Sequence, residues 1–204
     1  MIWLLMAVGA VVVQPFRAVA PVVQPFRAAF DGQTLPRVMI ETEAGEIEIE
    51  VDTVRAPNTA ANFLKYVDGG LYDGGRFHRT VKPDNQPNND VKIEVIQAGA
   101  SATRTRDFLP AIALERTSVT KLTHADGTVS MARRGPDTAR DQFFICIGNQ
   151  PELDFGGKRN ADGQGFAAFG RIVRGMDVVK RIQAAPAEGQ NLAPPIRILR
   201  ARRL

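Results

Sequence analysis

Apolar and polar positions alternate strictly through residues 46–51, where Ile47, Ile49 and Val51 interleave with Glu46, Glu48 and Glu50. That two-residue period is the mark of a half-buried strand, and residues 38–51 read as a hairpin turning at Ala44 and Gly45. The period then lengthens. Phe63, Leu64 and Val67 fall at helical spacing, Pro57 stands in the first turn and Gly69 ends the segment, which predicts a short amphipathic helix. Strand character returns at residues 76–81, 92–99, 112–116, 128–132, 142–147, 166–173 and 196–204. Polar loops rich in Gly, Pro or Asn separate these runs at 82–91, 101–110 and 149–165. A second amphipathic helix is predicted over 175–184. Many short strands with only two helices indicate a mainly β, closed or sandwiched fold. Both helices need their apolar faces covered, so they are expected to plug the ends of a barrel that the last strand closes by pairing with the first.

Before this pattern begins, residues 2–13 form an apolar run of 12. It is short for a bilayer span, which takes about 20 residues, and suits the apolar region of a signal peptide. Ala18 and Ala20 supply a cleavage-like A-x-A signal, although no Lys or Arg precedes the run and Pro21 would follow the cut. The expectation is a leader and linker over residues 1–36, export of the mature protein, and a folded domain over 37–204. An uncleaved N-terminus, with a cytoplasmic protein, is the alternative. Residues 12–18 recur without change as 22–28. Two copies cannot stack into a solenoid, so this reads as a local duplication.

Composition removes several function classes. The chain has 26 basic against 22 acidic residues, a net +4 spread along its length apart from Arg197, Arg200, Arg202 and Arg203. Nucleic-acid binders concentrate more basic charge and interleave it with aromatics, so this end reads as a solvated face. The single cysteine, Cys146, excludes an intrachain disulfide and a multi-cysteine zinc site. The only histidines, His78 and His124, leave little material for a His-rich metal site or a nucleophile–His pair. No metal or cofactor is expected.

The candidate chemistry lies on two strands. In the run 142–147, Gln142, Phe144 and Cys146 share one face and Phe143, Ile145 and Ile147 the other. A glutamine beside a phenylalanine makes either a half-polar groove suited to an extended peptide or simply a core strand with a tidying side chain. In the run 76–81, Phe77, Arg79 and Val81 are expected to point together. An arginine among apolar neighbours needs a carboxylate, a carbonyl or a ligand, so Arg79 is either a structural ion pair or a functional group.

Read in order, Phe77, His78 and Arg79, then Gln97 and Gly99, then Ser130, Met131 and Ala132, Gly135 to Thr138, Gln142 to Ile145, and Phe169 and Gly170 resemble the cyclophilin-type peptidyl-prolyl cis–trans isomerases. The resemblance runs from about Arg37 to the end of the chain. It implies an eight-stranded antiparallel barrel capped by two α-helices, in agreement with the periodicity. It also implies rotation about Xaa–Pro bonds of proline-containing polypeptides, in aid of protein folding; a monomer, with no stable membrane insertion of the mature domain, is expected. By resemblance Arg79 matches the catalytic arginine, Gln97 and Gln142 the polar groove residues, and Phe144 the floor of the proline pocket. Ala132 and Arg133 match the segment that holds the substrate backbone, Leu153 an apolar wall, and Val95 and Phe166 further pocket positions. There are departures: Glu94 replaces the first pocket phenylalanine, and Glu152 stands near a position where some members have tryptophan, which implies weak binding of cyclosporin-type inhibitors. Glu94 motivates the alternative of a Pro-peptide-binding module or chaperone with little turnover.

Overall fold

In the computed structural model, residues 34–204 are described; the apolar run, the cleavage signal and the repeat lie outside them. The strands are β1 (Arg37–Thr42), β2 (Gly45–Val51), β3 (Arg76–Val81), β4 (Val95–Gly99), β5 (Thr128–Met131), β6 (Phe143–Cys146), β7 (Ala167–Arg174), β8 (Ala187–Glu188) and β9 (Asn191–Arg203). Their order is β1-β2-β7-β5-β6-β4-β3-β9, and β9 returns to pair with β1. Eight antiparallel strands therefore close on themselves, while the two-residue β8 only folds back on β9. Closure removes the free edges that an open sheet would expose.

The alternation in β2 sorts its side chains as the pattern requires. Ile47, Ile49 and Val51 are fully buried inside the barrel. Glu46, Glu48 and Glu50 stand on the other face, where Glu48 accepts from Arg37 at 2.9 Å and Arg174 at 3.2 Å, and Glu50 pairs with Arg171 at 2.7 Å. The C-terminal arginines are matched in the same way: Arg202 meets Glu41, Arg203 meets Asp68 and Arg197 lies beside Glu43. Such exposed pairs each add little stability, but they leave this basic stretch largely neutralised.

Helix α1 (Pro57–Asp68) leaves the C-terminal end of β2, and α3 (Met176–Ala184) follows β7 at the end where Arg174 opposes Glu48. The two helices thus stopper opposite ends of the barrel. Gly175, at φ +93, makes the turn into α3, and a Cβ there would collide with the carbonyl of Glu46. α1 contributes Phe63, whose ring lies 5.5 Å from Tyr72, 5.5 Å from Phe143 and 5.0 Å from Phe169. These rings fill the barrel, so its inside is a packed core.

Two expectations need correction. Residues 112–116 are not a strand: only Ile112 bridges to Ala139. The segment is held by side chains instead, because Glu115 turns to α1 and accepts from the backbone N–H of Asn58 and Thr59 and from the Thr59 hydroxyl. Ala56, at the start of α1, has no side chain to cap these open donors, and a carboxylate from elsewhere supplies the favourable negative charge. Nor do Phe77 and Arg79 share a face. Phe77 opposes Ala98 and Arg79 opposes Gln97, so His78 is an extra, bulged residue. Phe77 packs into the core while Val81 joins a separate outer cluster with Val95 and Phe144. A short helix α2 (Thr117–Thr120) follows residues 112–116, and three 3-10 turns lie within the stretches read from sequence as polar loops.

The aromatic junction predicts the largest single-site effect on stability. Phe63→Ala should lower unfolding free energy by about 3–5 kcal/mol, measured as a shift of the denaturant midpoint at unchanged slope. A loss below about 1 kcal/mol would show that the ring is not part of the packed core.

Candidate functional site: a groove on the outside of the barrel

Because the interior is filled, a ligand must be met on the outer face. The alternation of β6 places Phe144 and Cys146 there and Phe143 and Ile145 in the core. β4 does the same: Ile96 and Ala98 face the core, while Val95 and Gln97 line a cavity of about 330 Å³ together with Arg79, Phe144, Leu153 and Phe166. A second cavity of about 600 Å³ shares Arg79, Gln97, Ala132 and Arg133 with the first and runs on past Gln142 and Arg140. All nine residues singled out from the sequence line one or both of these adjoining cavities.

The apolar end has a layered floor. Phe144 is 4% exposed and meets Phe166 edge-on, with ring centres 5.2 Å apart at 85°. Beneath Phe144 the His124 ring stacks at 5.9 Å and 14°. Its Nδ1 lies 2.7 Å from Asp154 Oδ1 and its Nε2 2.9 Å from the Ser130 hydroxyl. In the neutral ring Nδ1–H donates to the carboxylate and Nε2 accepts from Ser130. Ser, His and Asp are thus in a chain, yet Ser130 is fully buried, so this set serves as underlay and its hydroxyl meets no substrate. Nothing in the local sequence around His124 signalled that role; it depends on partners six and thirty residues away.

The polar end is a relay of fixed amides. Arg79 donates from Nε and Nη2 to Gln190 Oε1, at 2.9 and 2.5 Å, and from Nη1 to Gln97 Oε1 at 3.1 Å. Gln97 in turn donates to Gln142 Oε1 at 2.7 Å, and Gln190 donates to the Asn85 carbonyl at 3.0 Å. Among the described residues no carboxylate pairs with this arginine, and burial holds its pKa below the ordinary arginine range. The guanidinium stays a cation at neutral pH and is oriented by neutral acceptors, which leave its charge uncancelled. Gln190, in the turn between β8 and β9, was invisible in the sequence because its tie to Arg79 spans 111 residues.

Arg133 behaves differently. Its side chain is 1% exposed, grips Asp162 with both terminal nitrogens at 2.7 and 2.9 Å, donates to the Gly165 carbonyl, and lies 5.1 Å from the Phe166 ring centre. What it offers the groove is chiefly backbone. Glu94 does not enter the pocket. Just before β4, its carboxylate turns to α3 and accepts from Gln183 at 3.0 Å, and Ile93 supplies the apolar wall instead. Glu152 accepts from the Lys158 N–H at 2.7 Å. The loop 82–91 is not merely polar surface: it folds around Gln86, 2% exposed, which bonds Lys82, Ile93 and Arg159.

The outer wall of the barrel thus carries an arginine that meets no carboxylate among the described residues, beside an apolar, aromatic-floored slot. Residues 37–203 match the family described as cyclophilin type peptidyl-prolyl cis-trans isomerase/CLD. The chain belongs to this family. Among curated relatives, a peptidyl-prolyl cis-trans isomerase A of Dickeya dadantii (strain 3937) is 32% identical over 167 residues, covering 81% of this chain and 80% of that protein. A peptidyl-prolyl cis-trans isomerase of Acinetobacter baylyi is 35% identical over 150 residues, covering 73% and 72%. The fold agrees: a crystal structure of a Cryptosporidium parvum cyclophilin superposes with TM-score 0.66 at 22% identity, covering 83% of this chain and 98% of that one. A second crystal structure of that protein, in the presence of the dipeptide Ala-Pro, gives 0.65 at 21% identity, covering 81% and 97%. This cyclophilin is an Xaa–Pro isomerase. No helix among its described residues is long and apolar enough to cross a membrane.

The Arg133–Asp162 latch carries a pH prediction. The hydrogen bond from Arg133, first, and the backbone N–H of Gln164, next, bring the Asp162 carboxyl down to about 2. A carboxyl lowered on folding contributes its stabilisation above the ordinary aspartate value, and that contribution is lost as pH falls from about 4 towards 2. Carboxyl-carbon NMR should show Asp162 titrating near 2, and Arg133→Gln should raise it towards the ordinary aspartate value, with the Gln164 N–H still holding it somewhat below. A midpoint near 4 in the unaltered protein would mean that the latch is open in solution.

Proposed function

We propose that Arg79 lowers the rotational barrier of an Xaa–Pro bond whose proline ring lies on Phe144. The observation that carries this reading is the juxtaposition in one cavity of an uncancelled, amide-oriented guanidinium with an apolar floor. The Xaa–Pro amide is planar by resonance, and turning it crosses a barrier of roughly 20 kcal/mol, so the unaided step takes tens to hundreds of seconds. At the twisted midpoint the nitrogen lone pair is no longer delocalised and accepts a hydrogen bond that the planar amide cannot. Arg79 supplies that bond, and its fork reaches the adjacent carbonyl as well.

This contact is made more strongly in the transition state than in the ground state, which is what raises rate. Gln190 and Gln97 hold the donor in place beforehand, so little reorganisation is needed as the bond turns. Each ~1.4 kcal/mol gained is tenfold in rate. Phe144, Leu153, Val95 and Phe166 take the pyrrolidine ring out of water, while Gln97, Gln142 and the backbone at Ala132 and Arg133 hold the flanking chain. No proton, metal or covalent bond enters these steps.

Supporting the substrate class is the likeness to the Cryptosporidium cyclophilin crystallised in the presence of Ala-Pro. The pattern of residues 2–20 supports export and folding assistance to exported chains. Glu94, which motivated a binding-only module, faces α3, and no observation favours that alternative.

Line-shape NMR of a neutral Ala-Pro peptide tests the role of Arg79. The protein should accelerate exchange, and Arg79→Ala should remove about two to three decades of that acceleration, the scale of losing one pre-set donor. Arg79→Lys should restore little, for want of the planar fork. Acceleration retained in Arg79→Ala would overturn the assignment; peptide binding without acceleration would make the groove a recognition site.

A further inference from the structure

The cavity over Phe144 holds a second guanidinium, delivered by the loop after Leu153. Arg159 is half-buried, and its Nη1 donates to Gln86 Oε1 at 2.8 Å and to the Val91 carbonyl at 2.7 Å. Those two contacts clasp the loop 82–91 to the wall and fix the planar fork. Its Nε and Nη2 have no acceptor among the described residues. Elsewhere arginines are mostly matched by carboxylates, as Arg37, Arg133, Arg171, Arg174 and Arg202 are. The cavity is lined by Arg79, Arg133 and Arg159 and by no aspartate or glutamate, and only Arg133 is paired outside it, with Asp162. The adjoining cavity adds Arg134 and Arg140, neither in an ion pair among the described residues, against the single carboxylate of Asp141, which already accepts from the Ala100 N–H at 3.3 Å.

Two cations facing one partly desolvated space without a counter-charge are unfavourable unless an anion joins them. Burial, and after it the like charge of Arg79, lowers the pKa of Arg159, in keeping with that arrangement. A fixed guanidinium with free N–H groups matches a carboxylate bidentately. The space of about 330 Å³ is small, and an extended chain advances about 3.3 Å per residue. An anion that reaches Arg159 while the proline lies on Phe144 therefore sits on the proline itself or on its immediate neighbour.

We propose that Arg159 reads a carboxylate next to the substrate proline, so that prolines flanked by Asp or Glu, or ending a chain, are the preferred substrates of this enzyme. The inference depends on the groove being the isomerase site, and its test separates the two.

Wild type, Arg159→Gln and Arg159→Lys are compared on five-residue peptides with Glu or Gln immediately before or after proline, and on Ala-Ala-Pro with a free or amidated C-terminus. Dissociation constants come from chemical-shift titration and catalysed exchange from line shapes. At least one charged peptide should exceed its neutral counterpart about threefold or more in affinity and in catalysed exchange, the scale of a partly exposed ion pair. The ratio should fall towards one in Arg159→Gln, persist in part in Arg159→Lys, and shrink with added salt. The side-chain and terminal arms tell which carboxylate is read. A purely structural Arg159 would move charged and neutral peptides together and leave the ratio alone. Ratios near one in every wild-type arm, or a ratio that survives in Arg159→Gln, overturn the proposal. If no peptide is isomerised, the catalytic reading fails, yet the affinity ratio still decides whether Arg159 selects carboxylates.

Discussion

The pairing of β9 with β1 is the constraint from which the site follows. Once the sheet closes, inward side chains must fill a finite space, and Phe63, Phe77, Phe143 and Phe169 with Tyr72 do so completely. A peptide then has only the outer wall to bind. The outward faces of β4 and β6 supply an apolar bed there, and the loops after β3 and after Leu153 build up its sides. A filled barrel is also a rigid one, since cores packed to crystal-like density deform little. That rigidity suits the proposed mechanism, in which the rate depends on where one donor stands.

A single irregularity turns this wall into a site. Without the bulge at His78, Arg79 would share a face with Phe77 and have to be buried in an aromatic core. The extra residue rotates it outward, where Gln190 and Gln97 accept its N–H groups. Amides rather than carboxylates at those positions matter electrostatically. A carboxylate would hold the guanidinium equally well but cancel the charge that, in the mechanism proposed above, a turning amide meets. The same economy is seen under the floor, where the His124, Ser130 and Asp154 set satisfies its own polar groups and supports Phe144.

Much of this was legible one strand at a time. The alternation of Ile47, Ile49 and Val51, and the split of Gln142 and Phe144 from Phe143 and Ile145, are local properties of a period of two; they point to a closed or sandwiched β fold and offer the groove face as one of two readings, and the family resemblance selects the barrel and the groove. The misreadings share a cause. A bulge leaves no periodic trace, so Phe77 and Arg79 were placed on one face. Residues 112–116 have strand-like composition, but the unfilled cap of α1 claims Glu115. Glu94 reads from sequence as a change in the pocket, but its hydrogen bond from Gln183 turns it to α3. Gln190, Arg159 and the His124 underlay act through partners far away in the chain, and no local pattern reports such pairings.

The most direct measurement is of intermolecular NOEs between an Ala-Pro peptide and the protein with labelled aromatic rings. The account predicts contacts from the proline γ and δ protons to Phe144 and Phe166, and none to rings of the barrel interior such as Phe63. Proline contacts to any other surface, with Phe144 and Phe166 silent at saturating peptide, would contradict it.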